Sequence, residues 1–564
     1  MTPAEPAAAG RRRPFSHRSL HSLVLTLLLA WLVCYPLLLT LAEALGDPHW
    51  TLRHFALFAR RPDEWGALWA SVWISLATVT LSASIGIPLA FLFETAEFPG
   101  RRLLGTLVAL PVVLPPLVGV LAFLFLYGES GVVARAVQTL TRSADPPWRL
   151  SGPAAILLVH AYTMFVYFYL FTRAGLARLD AAFLEAAAAL GAGRGRVLFR
   201  VTLPLLRPAL VAAALLTFMT SLSSFSAPYL IGGTFRVMTT QIVFSRLNGD
   251  TEMAMVETVA LAAIALAGLF LLQATEKRRG VAGAIRGAAP ARRTLSRGAA
   301  VAAAGWVFAA ILLLPHAMLL LVSFVPPGTW TMEILPPALS LTNWASVFSQ
   351  PERLRPIVNS LWMASVSTAA AVFLGFAAAW IAVVGRSRLG GALETLLAIP
   401  WALPGTVFAV ALAATFSVRA PWAGRFVLIG TAAILPLAYL VRSLPLTGRA
   451  AFSGLRQLDP ALDEAGASLG APPGRRLRRI TFPLLKPALA AGASIAFITA
   501  LGDFVVSIVL YTFDTRPISI EILSSLRMQE TGIGAAYGVL LAALSAASFL
   551  FFGAGGDTSA SRGG

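Results

Sequence analysis

The chain has 564 residues, of which 57% are hydrophobic and only 12% charged, with a mean hydropathy of +0.76. Soluble domains carry about 25% charged residues, so a soluble enzyme, a disordered chain and a disulfide-rich secreted module are excluded. Cys34 is the single cysteine, and the net charge of +18 would suit a nucleic-acid partner unless the basic residues gather at one face of a membrane.

A membrane-crossing helix needs about 20 predominantly apolar residues. In chain order, runs free of Asp, Glu, Lys and Arg fall at 22–42, 65–93, 103–128, 150–172, 208–235 and 258–275. They continue at 298–332, 357–385, 395–418, 426–441, 487–502 and 531–556. The pattern predicts an all-α polytopic membrane protein with about 12 transmembrane helices. The first run follows Arg11, Arg12 and Arg13, but it exceeds the apolar core of a signal peptide and reads as a retained helix. The tenth is short and borrows flanks around Arg425 and Arg442, while the eleventh continues past Asp503 into 504–513.

These spans divide the chain into an N-terminal segment at 1–21, a first unit at 22–275 and a second at 298–556. A basic linker at 276–297 joins the units and reads as lying near anionic lipid headgroups; a flexible tail follows at 557–564. With the N-terminus in the cytoplasm, 30 of the 44 basic residues fall inside and 14 outside. The positive-inside rule therefore predicts cytoplasmic N- and C-termini. It also accounts for the high charge, so no nucleic-acid partner is expected.

Residues 179–210 and 458–489 align without a gap at an offset of 279, with 20 identities in 32 positions. Earlier in each half, Trp73 and Trp362, Pro111 and Pro400, and Pro115 and Pro404 match at an offset of 289. About ten residues are thus missing from the second half, in the connection between its third and fourth spans. Six spans per unit is an even number, so both units enter the membrane in the same sense. The two six-helix repeats are parallel, related by an axis along the membrane normal rather than inverted.

The best-matched part of the repeat is a loop, and loops usually tolerate change. In each copy, helix-favouring residues precede a glycine, and a basic stretch then leads to a proline. The spacing predicts a short helix, a turn at Gly191 or Gly470, and a second helix beneath the membrane, with Pro204 or Pro483 opening a new segment. Glu185-Ala186-Ala187, then Gly191, then Val201-Thr202-Leu203-Pro204 resembles the EAA loop of ABC importer permeases. Glu464-Ala465-Gly466, Gly470 and Ile480-Thr481-Phe482-Pro483 keep that spacing, with Gly466 in place of an alanine and Phe482 in place of a leucine.

The resemblance spans essentially the whole chain as a fused pair of permease units. It implies that each loop couples to its own ATP-binding ABC subunit, giving two such subunits and one extracytoplasmic solute-binding protein in a bacterial inner membrane. Glu185, Ala186, Ala187, Gly191, Pro204, Glu464, Ala465, Gly470 and Pro483 are the coupling residues it points to. Ser224-Phe225-Ser226-Ala227-Pro228-Tyr229-Leu230-Ile231-Gly232-Gly233, followed by Thr239-Thr240-Gln241-Ile242, is similar to fused ferric-iron permeases. Thiamine, phosphonate, polyamine and sulfate permeases are the related alternatives.

A Walker A loop ends in Gly-Lys-Ser/Thr. The two lysines here, Lys277 and Lys486, neither follow glycine nor precede Ser or Thr. No catalytic residue, bound cofactor or metal ligand is therefore expected, and ATP belongs on the partner subunit. Gly466-Ala467-Ser468-Leu469-Gly470 matches the nucleophile-elbow pattern, but it sits in the repeated loop without a preceding strand and reads as chance. A proton-coupled secondary transporter is the runner-up, but it needs several ionisable groups inside its spans. Within the predicted runs, His160 and His316 read as packing histidines, and Asp503 is the one interrupting carboxylate. It stands equally open as a pathway residue or a structural partner.

Overall fold

The computed structural model describes residues 17–46, 50–95, 98–109, 111, 115–282, 298–330, 333–417 and 427–557. The expected N-terminal segment through residue 16, the linker from 283 and the tail from 558 lie outside the described residues.

The first unit runs α1 (His17–Ala44), α2 (Arg53–Arg60), α3 (Pro62–Thr95), α4 (Arg101–Ala109), α5 (Pro116–Tyr127), α6 (Val132–Thr141) and α7 (Gly152–Leu176). It continues with α8 (Ala181–Ala189), α9 (Arg194–Val197), α10 (Leu203–Leu222), α11 (Ser226–Ile231), α12 (Met238–Leu247) and α13 (Thr251–Ala282). The second unit opens with α14 (Gly298–Ser323), α15 (Thr342–Ser349), α16 (Pro351–Ala379), α17 (Gly390–Ala402), α18 (Gly405–Thr415) and α19 (Ile434–Gln457). It closes with α20 (Pro460–Ser468), α21 (Pro473–Arg476), α22 (Phe482–Leu501), α23 (Val505–Leu510), α24 (Ile518–Arg527) and α25 (Thr531–Asp557). Element by element, α2–α5 answer to α15–α18 and α7–α13 to α19–α25. Helix α6 lies in the connection where the sequence places the missing residues.

Ten helices among the described residues are long and apolar enough to cross a membrane, and α17 with α18 adds an eleventh as a bent pair. The twelve expected runs differ from this in three places, each for a physical reason. The third and ninth runs break at prolines. Pro115 and Pro404 stand just before α5 and α18, and α17 and α18 meet at 107° because Leu403, preceding Pro404, is extended. The tenth run shifts to α19, which is 24 residues long and carries Arg442, Arg449 and Arg456. It packs along α16 and α22 as α7 packs along α3 and α10, so it holds the tenth position despite its charge. The eleventh run stops at Leu501 and resumes as the separate short helix α23.

The first helix of each unit crosses onto the other unit. Leu25, Leu29 and Val33 of α1 share a core with Val407, Phe408 and Val410 of α18. Met318, Leu319 and Val322 of α14 pack with Leu117, Val118 and Leu121 of α5. Tyr162 of α7 donates to the Leu312 carbonyl at 2.6 Å and meets His316 Nδ1 at 3.2 Å, so His316 sits in this inter-unit seam. This exchange ties the two units together through close packing of apolar side chains, which drives helix association where lipid and not water is displaced.

Candidate functional site

The two matched loops fold alike. Asp180 caps α8 by accepting from the Ala182 N–H at 2.9 Å, and Asp459 caps α20 by accepting from Ala461 N–H at 2.9 Å. Each helix ends two residues before a left-handed glycine, Gly191 at φ +75° and Gly470 at φ +76°. The N–H of Ala192 returns to the Ala187 carbonyl at 3.0 Å, and that of Ala471 to Gly466 at 3.1 Å, closing the same C-terminal turn twice. A side chain at either glycine meets no neighbouring atom within 4 Å, so the backbone conformation alone requires glycine. Leu190 and Leu469, one residue earlier, are each 88% exposed. Glu185 and Glu464 are also exposed.

The expected second helix is not a separate surface helix. In each copy it forms the first turns of a span, and the helices continue from Arg194 to Leu222 and from Pro473 to Leu501. Pro204 and Pro483 lie in the second position of α10 and α22, where their missing N–H groups leave a π turn at Leu198–Thr202 and Leu477–Thr481. The N–H of Leu203 accordingly reaches back to Leu198, and that of Phe482 to Leu477.

Of the two departures in the second loop, Gly466 is linked to its surroundings, and nothing in the structure explains Phe482. A Cβ on Gly466 would lie 2.8 Å from Ile480 Cδ1 and 3.3 Å from Arg476 Cδ. The first loop places Val201 and Val197 at those positions and has room for Ala187. Arg476 Nε in turn pairs with Asp463 at 3.3 Å, where the first loop has Val197 and Leu184.

Between the units lies a cavity of about 360 Å³. Pro111, Pro116, Thr163 and Thr220 line it from the first unit, and their repeat partners Pro400, Gly405, Arg442 and Thr499 line it from the second. Ser223, Ser224, Phe225, Ser226 and Ala227 come from the α10–α11 junction, the start of the motif similar to ferric-iron permeases. The buried His160 lines it too, bonded through Nε2 to Ser224 Oγ at 2.9 Å and through Nδ1 to Thr78 and Ser221 at 3.1 and 3.2 Å. Asp503 lies behind the wall. Its Oδ2 meets Arg442 Nε at 3.3 Å, its Oδ1 accepts from the Val506 N–H at 2.8 Å, and its side chain is 4% exposed.

Two matched loops and a cavity between repeated units fit a permease. The family described as the binding-protein-dependent transport system inner membrane component matches residues 82–281 and again 371–554. The chain belongs to this family. It is a multi-pass inner-membrane permease of an ABC transporter, built from two fused copies of the family's unit. The probable ABC transporter permease protein y4fN of Sinorhizobium fredii is 31% identical over 539 residues, covering 93% of this chain and 94% of that protein. The ferric transport system permease protein FbpB of Actinobacillus pleuropneumoniae is 29% identical over 492 residues, covering 84% of this chain and 69% of its own length. A molybdenum transport system permease protein of Mycobacterium tuberculosis is 30% identical over 208 residues, or 36% of this chain and 76% of that one.

The candidate spans carry carboxylates beyond Asp503. The helices extend past the charge-free runs to include, among others, Glu64, Glu94 and Glu257. Glu94 pairs with Arg173 at 2.7 Å. Glu64 and Glu257 are buried side by side, one bonded to Gln241 at 3.4 Å and the other to Ser245 at 2.6 Å. The sequence runs miss them because each abuts a charge-free stretch that ends one residue away from it. The Arg442–Asp503 pair was within reach of the sequence, since the offset of 279 aligns these residues with Thr163 and Ser224. A charge of each sign gained in one copy at two aligned positions is a signal of contact.

Proposed function

We propose that the chain forms the transmembrane pathway of an ATP-driven importer, with α8 and α20 each docking on a separate ATP-binding subunit at the cytoplasmic face. The observation that carries this is the loop pair: the same capped helix, the same left-handed glycine and the same 88% exposed leucine, twice. A leucine that exposed, on a rigid turn, suits a partner's apolar groove. ATP binds on the partner subunits, and a solute-binding protein delivers cargo at the opposite face. The N- and C-termini are cytoplasmic by the charge asymmetry. Asp503 acts through Arg442 rather than by lining the pathway.

Ferric iron is the cargo we favour, on the motif from Ser224 to Gly233 and the similarity to the ferric permease. The molybdenum permease supports a second reading, an oxyanion cargo. A thiamine transport system permease protein of Brucella abortus, 31% identical over 211 residues, supports a thiamine cargo as well, whereas phosphonate, polyamine and sulfate remain readings on resemblance alone. The topology is tested with cysteines at Arg194 and Arg475 in a Cys34→Ser background. Both are expected to resist an impermeant thiol reagent in intact cells and to react in inverted vesicles; labelling of either from outside overturns the orientation. The cargo is tested by deletion: loss of iron uptake supports ferric iron, and unchanged iron uptake with lost molybdate uptake transfers the assignment.

A further inference from the structure

The cavity between the units has a polarity that its two halves do not share. Its lining residues include Thr163, Thr220 and Thr499, whose hydroxyls donate to carbonyls of their own helices, Ser224, which is bonded to His160, and one guanidinium, that of Arg442. No carboxylate is among its lining residues as far as the described residues go. Asp503 neutralises Arg442 from behind: the arginine side chain is 27% exposed and lines the cavity, whereas the aspartate is 4% exposed and does not. The anion faces the protein and the cation faces the space.

Room for this arrangement is made at Gly405. A Cβ there would fall 1.6 Å from Arg442 Nη1, so the guanidinium occupies the place of a side chain. The first unit has Pro116 at that position and Thr163 opposite it. Gly405 also opens the eleven-residue helix α18, whose positive end adds to the arginine's field.

A structural brace between α19 and the α22–α23 junction is the competing explanation. The first unit argues against it, because it builds the corresponding junction from Thr163 and Ser224 with no charge. A buried ion pair is in any case weak evidence for stability, since desolvation offsets its attraction.

We propose that Arg442 forms a transient subsite for an oxyanion group of the cargo, with Asp503 holding the guanidinium in place and Gly405 admitting it. This rests on the permease reading above. The oxyanion has two possible sources: a free tetrahedral anion carried as the cargo itself, or an anion bound to ferric ion and carried with it. Arginine donors in a fixed fork suit either.

The first experiment needs no transport. Equilibrium dialysis of the full chain in lipid nanodiscs against radiolabelled orthophosphate and molybdate reads the subsite directly. Wild type is expected to bind at least one of them, the Arg442→Thr/Asp503→Ser double variant at least tenfold more weakly, and Arg442→Lys in between. The double variant installs the first unit's residues, and its folding is checked by its elution and its assembly with the ATP-binding subunits. Absence of binding by wild type at millimolar anion, or equal binding by the double variant, overturns the subsite. The second experiment uses the complete importer in proteoliposomes. Import falling tenfold or more in the double variant supports the proposal, and wild-type import by that variant overturns it. Molybdate entering without iron identifies the free anion as the source; labelled phosphate entering only with labelled iron, in fixed ratio, identifies the bound one. Binding in nanodiscs without ATP-dependent uptake of any cargo would instead sink the importer reading and leave the subsite standing.

Discussion

The two loops and the two halves of the cavity wall are products of the same duplication, yet they have fared differently. At the loops, Gly191 and Gly470 differ by one degree in φ, the caps are both aspartate, and Leu190 and Leu469 are equally exposed. At the cavity, Pro116 and Thr163 align with Gly405 and Arg442 across the wall, and the lining residues His160 and Ser224 align with Tyr439 and Asp503, which do not line it. Two loops that dock on like partners need like shapes. A cavity that holds one asymmetric cargo has no reason to be symmetric, and its halves are free to divide the work. The similarity of the loops and the difference of the walls therefore point to different kinds of contact, protein at the first and solute at the second.

The largest effect is expected where the units agree. Glutamate at both Gly191 and Gly470 forces two side chains into left-handed backbone, at about 1–2 kcal/mol each, which a protein of this size survives. It also places charge where the exposed leucines would enter an apolar groove. The double variant should insert at wild-type levels and lose co-purification with the ATP-binding subunit together with transport. Each single variant should retain part of both, the Gly470 variant more than the Gly191 variant, because the first loop keeps the complete family pattern. Normal co-purification and transport in the double variant would remove the docking role from these loops.

The next effect sharpens the comparison at the cavity. Arg442→Thr alone leaves Asp503 buried without its cation, a change of about 3–5 kcal/mol for a buried pair. Asp503→Ser added to it restores the uncharged junction of the first unit. Thermal unfolding in detergent should show a large drop in Tm for the single variant and recovery of most of it in the double. Equal Tm values for the two would mean that the pair is not coupled.

How much of this was legible in the sequence differs in the same way. Apolar run length located most spans, because lipid leaves backbone groups no partner outside the helix. It misplaced the tenth, since Arg442, Arg449 and Arg456 interrupt α19; Arg456 is held bidentately by Glu394 at 2.7 and 2.8 Å. It did not foresee the breaks before α5 and α18, although Pro115 and Pro404 were in plain view, because hydropathy is blind to backbone direction. The loops were legible down to the glycine, since a φ that only glycine adopts cheaply leaves its mark on the sequence at a fixed spacing. The cavity was not, because its residues come from six stretches of chain that only the fold assembles.

A smaller effect tests whether the second loop's departure at Gly466 is compensated. Gly466→Ala brings a methyl group to 2.8 Å from Ile480 Cδ1, so the packing of α20 on its span must shift, costing about 1–3 kcal/mol. Ile480→Val, which restores the first loop's residue there, should recover much of that loss. Protection of the α20 amides in hydrogen exchange reports both changes. Gly466→Ala that leaves protection unaltered would mean that α20 does not depend on this contact.

The smallest effect lies at the caps, where the loops are most alike. Asp180→Ala and Asp459→Ala each remove a side-chain acceptor from a first-turn N–H, typically worth about 1 kcal/mol. The two helices are each nine residues long, too short to be stable by themselves, so a loss of that size should show as fraying of α8 or α20 and not as global unfolding. The copies should still differ. Pro460 occupies the first turn of α20 with its φ already fixed near the helical value, whereas α8 has Ala181 there. Proline lowers the entropy that the first turn must lose, so α20 should tolerate loss of its cap better than α8. Amide exchange across both helices is the measurement, with increased exchange in α8 of Asp180→Ala exceeding that in α20 of Asp459→Ala. Placing proline at Ala181 should bring the two to parity. Equal fraying without that change would mean that neither the cap nor the proline sets the stability of these helices, and that packing on the π turns beneath them does.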